Sequence, residues 1–169
     1  YSKKDDKIYG LPYNRSTPIM YYNNDLFKKD FSHDNPPETW DDILNYCREL
    51  VKHDVAGITF EIENWYYGAF ISQLGGSFLN ADGTQALLTK DDVGLTALKF
   101  WKQLVDEGLY LVPPLTSPGS FTLQEFYQSK VGILLQSTGN IGSVLKNTEG
   151  KFEVGGAFMP KNVDRGFAT

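Results

Sequence analysis

Apolar residues recur along the chain in two rhythms. Trp40, Ile43, Leu44, Cys47, Leu50 and Val51 fall three and four residues apart, the pattern of an amphipathic helix with one buried face. Thr39 is placed to cap it, and Asp41 and Asp42 lie in its first turn, where carboxylates meet the positive end of the helix dipole. The same spacing predicts a short helix over 26–31 and a helix opened by Asn64 that carries Trp65, Tyr66, Ala69, Phe70 and Leu74 and ends at Gly75-Gly76. A long helix is expected from Lys90-Asp91-Asp92 to about Glu107, with Val93, Ala97, Leu98, Trp101, Leu104 and Val105 inward. Shorter ones follow over 122–129, with Leu123, Phe126 and Tyr127 inward, and over 139–147.

The second rhythm is that of strands. Runs at 56–60, 131–135 and 152–158 are apolar and bounded by turn residues, so they read as buried strands. Residues 8–14 and 18–23 are two extended runs rich in Tyr and Ile, separated by the polar turn Arg15-Ser16-Thr17; Pro12 and Pro18 favour extended backbone just before them. A loop over 32–38 contains Pro36-Pro37, Asn80-Ala81-Asp82-Gly83-Thr84 is a tight turn, and a Pro-rich loop with Pro113-Pro114 precedes the helix at 122. Strands alternate with helices and most connections are too long for hairpins. An α/β sandwich with a largely parallel sheet is therefore expected, built as a single unit over 1–169 without repeats or linkers.

Composition narrows the chemistry. The 169 residues include no apolar run approaching the roughly 20 needed for a membrane helix. A net charge of -5, with 16 Lys+Arg against 21 Asp+Glu in mixed-sign segments, argues against nucleic acid as a partner. The single cysteine, Cys47, excludes an internal disulfide and reads as buried packing; with only His33 and His53 beside it, little is left for a metal, and none is expected. The first residues carry no apolar signal region and no lipidated cysteine, and 164–169 end without a helix cap. The chain is accordingly expected to be a segment of a longer protein.

Three segments end a strand and begin a loop or helix, the place where open α/β sheets bind ligands. Asn14, Arg15 and Ser16 offer amide, guanidinium and hydroxyl donors. Asn64, Trp65, Tyr66 and Tyr67 form a helix start dense with aromatics. Ser137, Thr138 and Gly139 open a helix whose N–H groups can receive an anion or a hydroxyl. No hydrolase elbow, zinc helix, nucleotide loop or dinucleotide fingerprint is present. Glu61 and Glu63, two apart, would share one face of a strand and could pair an acid with a base, but they read better as solvated loop charges.

One family gathers these features. Tyr9-Gly10-Leu11-Pro12, Thr17-Pro18-Ile19-Met20-Tyr21-Tyr22-Asn23, Leu26-Phe27-Lys28-Lys29 and Pro36-Pro37-Glu38-Thr39-Trp40-Asp41-Asp42 stand in the order seen in the extracellular solute-binding proteins of ABC sugar importers, which the chain resembles throughout. Leu74-Gly75-Gly76, Lys130-Val131-Gly132-Ile133 and Val154-Gly155-Gly156-Ala157-Phe158-Met159-Pro160 extend the likeness, closest to the glycerol-phosphate and oligosaccharide binders. The resemblance implies a type II periplasmic-binding-protein lobe, a three-layer α/β/α sandwich. It further implies that this is the second of two lobes that close on a carbohydrate, with the first lobe outside this chain. The ligand would pass to the transmembrane subunits of a permease, and the protein would be an extracytoplasmic monomer, in the periplasm or lipid-anchored at the outer face, without cofactor or catalysis.

By that resemblance, Asn14, Arg15 and Ser16 supply polar contacts, with Arg15 standing where relatives often carry a small hydroxyl. Trp65 is the aromatic that stacks on a sugar ring, with Tyr66 or Tyr67 as substitutes, beside Asn64; glycerol-phosphate binders can show two tryptophans here. Ser137, Thr138 and Gly139 hold a hydroxyl or phosphate oxygen. The other readings that the sequence leaves open are an interaction domain using exposed aromatics and a small glycosidase-like enzyme using Glu61 and Glu63.

Overall fold

In the computed structural model, residues 2–30, 35–88 and 92–162 are described, in the order β1 (Ser2–Lys4), β2 (Lys7–Gly10), β3 (Pro18–Asn23), α1 (Asn24–Asp30), α2 (Trp40–Val51), β4 (Ala56–Thr59), α3 (Asn64–Gln73), α4 (Val93–Asp106), α5 (Pro118–Tyr127), β5 (Val131–Ser137), α6 (Ile141–Thr148) and β6 (Val154–Ala157). A 3-10 turn, Thr138–Asn140, joins β5 to α6. The expectations for the end of the first short helix, His33 and the start of its loop, Lys90-Asp91 and the two chain ends lie outside the described residues.

Local chemistry explains the helix starts. The Thr39 side chain accepts from the Asp42 N–H while Asp42 Oδ2 accepts from the Thr39 N–H, a reciprocal capping box that fixes where α2 begins. Asn23 Oδ1 takes the N–H groups of Asp25 and Leu26 at the start of α1. Asn80 does the same for its tight turn, its Oδ1 accepting from the N–H groups of Thr84 and Gln85. The α3 helix starts at Asn64, as expected, after a Glu63 N-cap that makes no side-chain capping bond.

Four strands form the main sheet in the order β4-β5-β3-β6. The β4 strand pairs parallel with β5, whereas β3 pairs antiparallel with both β5 and β6. Three strands thus point the same way and β3 runs against them. The α/β class is as expected, but the largely parallel sheet is so only in strand direction; by pairing the sheet is mixed. The hairpin of β1 and β2 lies outside this sheet and was not anticipated, its two-residue turn being made by Asp5 and Asp6, both at positive φ.

Side chains alternate across β3 and β5. Met20, Tyr22, Ile133 and Leu135 enter a large core shared with α1, α2, α3 and α4, while Tyr21 and Leu134 enter a smaller one with Phe126, Tyr127 and Val144 of α5 and α6. Helices therefore cover both faces, giving the three layers. In β5 the residues from Val131 to Gln136 are all buried, which explains its unbroken apolar run. Phe60, just past β4, stands in a ring cluster with Tyr66, Phe70, Trp101 and Tyr110 at centroid distances of 4.8–5.8 Å. Cys47 is fully buried, and loss of solvation pushes its thiol pKa upward, in keeping with packing and not reactivity.

The inward face of α4 needs correction. Ala97, Phe100 and Leu104 are buried and Val93 and Trp101 pack half-buried, but Leu98 and Val105 are exposed. Phe100 stacks on Trp40 at 4.3 Å, and that contact sets the helix phase.

Arg48 clasps the residue after α4 with two bonds, Nε to Glu107 Oε2 at 2.7 Å and Nη2 to Oε1 at 2.9 Å. These bonds, then one from Gln103, draw the Glu107 pKa from 4.5 down to about 2. A carboxylate lowered on folding stabilises the fold above its unfolded value and loses that contribution as the pH falls toward its folded value. Glu107→Gln should lower the urea midpoint at pH 7, and the gap to wild type should close as the pH drops from 4.5 toward 2. An undiminished gap at pH 2 would show that the pair is not its source.

Candidate functional site

The C-terminal ends of β4 and β5 and the N-terminal end of β3 meet at one edge of the sheet, because β3 runs against its neighbours and pairs Pro18 with Ser137. Hydrogen bonds tie the three expected segments together there. Thr138 N–H donates to Thr17 O at 2.9 Å and Thr17 N–H to Thr138 Oγ1 at 3.2 Å, anchoring the end of the 11–17 loop to the end of β5. Tyr66 O–H donates to Leu135 O at 3.1 Å, and Gln136 Nε2 donates to Glu61 Oε1 at 3.1 Å, joining β5 to the turn that precedes α3.

The individual residues fare differently. Asn14, Arg15 and Ser16 are exposed, in an irregular stretch between β2 and β3. Asn64 is exposed at the first position of α3, and Trp65 is half-buried, its ring 5.5 Å from that of Tyr66. Asn64 and Trp65 border a depression of about 340 Å³ shared with Gly68, Ser72 and Phe78. Tyr66 has no surface to offer a ligand: it is fully buried, and desolvation, followed by the charges of Glu61 and Glu63, raises its pKa and keeps the phenol a donor. Tyr67 turns toward α4, donating to Gly94 O at 3.2 Å and packing against Phe78. Sequence spacing gave all three aromatics to one helix start; the helix buries Tyr66 on its core face and leaves Trp65 and Tyr67 half-buried against the same core.

Ser137, Thr138 and Gly139 sit where expected, with much of their hydrogen-bonding capacity already committed. Ser137 Oγ accepts from Gly139 N–H at 3.0 Å, and Ile141 N–H returns to Thr138 O. Ser137 N–H goes to Gln136 Oε1 at 2.8 Å, and Ser137 O accepts from Tyr21 O–H at 2.9 Å.

Two polar residues at this edge were not among the expected ligand contacts. Gln136 is buried at the end of an apolar strand, an interruption that was its only signal. Glu61 is no freely solvated loop charge: it is half-buried, bonded by Gln136, and its carboxylate lies close to Gly119 in the first turn of α5. Glu63 is exposed, one turn away, with its N–H on Glu61 O; partial desolvation and then the Glu61 charge raise its pKa. The backbone turns between the two, so they do not share a strand face as an acid–base pair would in that reading. Beside the same end of the sheet, a groove of about 740 Å³ runs along β6, with Ile19, Pro37, Met159 and an 86% exposed Phe158 on its walls.

Polar side chains gather at the strand ends of one α/β unit, the place where open α/β sheets bind ligands. The chain belongs to the bacterial extracellular solute-binding proteins, whose family pattern it matches over residues 1–167. It is 36% identical over 139 residues to a Brucella abortus protein named as a binding protein, covering 78% of this chain and 33% of the relative. It is 27% identical over 161 residues to the sn-glycerol-3-phosphate-binding periplasmic protein UgpB of Agrobacterium fabrum, covering 86% and 35%. The chain thus spans about a third of the length of these curated relatives. Among solved structures, the Listeria monocytogenes substrate-binding protein Lmo0181 in complex with cycloalternan aligns with TM-score 0.77 at 22% identity, over 96% of this chain and 42% of that one. UgpB from Mycobacterium tuberculosis in complex with glycerophosphocholine aligns with TM-score 0.76 at 20% identity, over 96% and 40%. At those identities the structural matches establish the fold.

Proposed function

We propose that this chain is the second lobe of the substrate-binding component of an ABC importer, which binds a carbohydrate or a glycerol phosphate between two lobes and delivers it to a permease. The observation that carries this reading is the convergence of the Thr17–Thr138 clasp, Ser137, the Gln136–Glu61 bond and the Trp65 helix start on one edge of the sheet. The relatives' names point the same way. The ligand contacts on this lobe are assigned to Asn14, Arg15, Ser16, Asn64, Trp65, Ser137, Thr138 and Gly139, with Tyr66 and Tyr67 withdrawn to packing roles. The first lobe lies outside these residues and supplies the facing wall. The receptor works as an extracytoplasmic monomer, in the periplasm or anchored by lipid at the outer face, and binds without turnover.

Thermal-shift and calorimetric titrations of the two-lobe receptor and of this 169-residue lobe test the reading. Maltotriose, D-tagatose and sn-glycerol-3-phosphate serve as probes. A ligand at a hundred times its Kd should stabilise the receptor by about 2.7 kcal/mol and the single lobe hardly at all, because the gain follows occupancy and the cleft needs both walls. Absence of any shift in the receptor across the panel would refute it.

A further inference from the structure

At the edge where the candidate contacts gather, side-chain hydroxyls take over bonding that the backbone leaves off. The β4–β5 pairing ends at Thr59 and Leu134. One residue further on each strand, the carbonyls of Phe60 and Leu135 are taken by buried phenols: Tyr110 O–H donates to Phe60 O at 2.6 Å and Tyr66 O–H to Leu135 O at 3.1 Å. On the outer side of β4, Ile58 N–H donates to Leu109 O and Leu111 N–H to Ile58 O, the rungs of a parallel ladder. Two residues along, the donor to Phe60 O would be residue 113, which is proline and has no N–H. The ladder cannot continue, and the Tyr110 hydroxyl replaces the missing donor. A similar substitution stands beside it, where Thr59 Oγ1 donates to Leu111 O at 2.8 Å.

Resting on the receptor reading, we propose that Tyr66 and Tyr110 are positioning residues for the ligand edge: their hydroxyls replace backbone rungs, so that the chain leaves the sheet at Phe60 and carries the 61–65 turn to the edge with the strand-end carbonyls still satisfied. The two act on one turn from opposite sides. Tyr66 ties the first turn of α3 to β5, and Tyr110 ties Phe60 to the segment that follows α4. Between them stand Glu61, bonded by Gln136, and Trp65. Burial raises both phenol pKa values, with the Glu61 charge adding to each, so both hydroxyls remain protonated donors. Tyr66 is fully buried and Tyr110 is 6% exposed, so both act through the turn and not on a ligand directly. Without either hydroxyl a buried carbonyl loses its partner, and the turn must shift to recover one, moving Glu61 and Trp65 with it.

Tyr66→Phe and Tyr110→Phe remove only the hydroxyls and leave the rings in the core. Calorimetry on the two-lobe receptor with maltotriose, D-tagatose and sn-glycerol-3-phosphate gives the affinity, and a urea titration of each variant gives its midpoint. Under conditions where the titration shows it folded, each variant should bind the probe that the wild type binds about tenfold more weakly, the scale of one buried hydrogen bond. Tyr46→Phe is the control: its hydroxyl also donates to a backbone carbonyl, Asn35 O at 2.7 Å, but its ring lies against Phe27 of α1, and its affinity should match the wild type. A lowered midpoint with unchanged affinity would make a hydroxyl structural only and overturn its positioning role. If one variant fails to fold, the other decides; failure of both to fold would make stability their whole contribution and overturn the inference while leaving the receptor reading intact. Failure of the wild type to bind any probe would overturn the receptor reading and this inference together.

Discussion

Phe60→Ala should cost about 3–5 kcal/mol, the scale of a buried Phe-to-Ala truncation and a large share of the roughly 5–15 kcal/mol that holds a domain of this size together. Phe60 is fully buried, and its ring meets Tyr66 and Phe70 of α3, Trp101 of α4 and Tyr110 in the segment that follows. Its own carbonyl also accepts the Tyr110 hydroxyl at 2.6 Å. The surrounding rings are anchored on three separate elements and cannot collapse together, so the cavity left behind stays open. With a urea slope of about 1–3 kcal/mol per molar, the midpoint should fall by at least about 1 M. Trp101, 4.9 Å from Phe60, gives a fluorescence signal for the transition. A loss below about 1 kcal/mol would show that the cluster repacks and is not the keystone of the larger core.

On the proposed reading of the chain as one lobe of a carbohydrate receptor, Trp65→Ala should weaken carbohydrate binding by the two-lobe protein by about 30- to 150-fold. A flat indole buried under the C–H face of a sugar contributes on the order of 2–3 kcal/mol through area removed from water and ring geometry, and each 1.4 kcal/mol is a factor of ten. The side chain is half-buried, its ring 5.5 Å from that of the fully buried Tyr66, so the indole is held in place by the core beneath it. Trp65→Phe should retain part of the affinity, whereas Asn64→Ala should act through a rim hydrogen bond and cost less. Calorimetry on the three variants, with a urea titration to confirm folding, separates these effects. Affinity unchanged in Trp65→Ala would remove the stacking assignment and shift attention to Phe158, the exposed ring on the groove beside β6.

The parts of the fold legible in the sequence are those fixed by neighbours in the chain. Thr39 and Asp42 cap each other three residues apart, so the start of α2 could be read to the residue. The buried run of β5 and the turn at Asn80 are likewise local statements. Strand direction is not. The sequence pattern of β3 is the same whichever way it runs, and only its pairing with β5 and β6 makes it antiparallel. The phase of α4 was ambiguous for a related reason: Leu95, Leu98 and Val105 are as apolar as Phe100, and the stack of Phe100 on Trp40 selects the face that is buried.

The site divides along the same line. Composition, helix starts and strand ends determined by themselves which three segments carry polar and aromatic groups, because those properties belong to residues within a few positions of one another. The tertiary structure alone decided that Tyr66 is core while Trp65 is only half-buried, that the N–H groups at Thr138 and Gly139 are already bonded, and that Glu61 is bonded by Gln136, 75 residues further along. Each of those outcomes depends on how a side chain or strand end meets another distant in sequence, and no local periodicity encodes such a meeting.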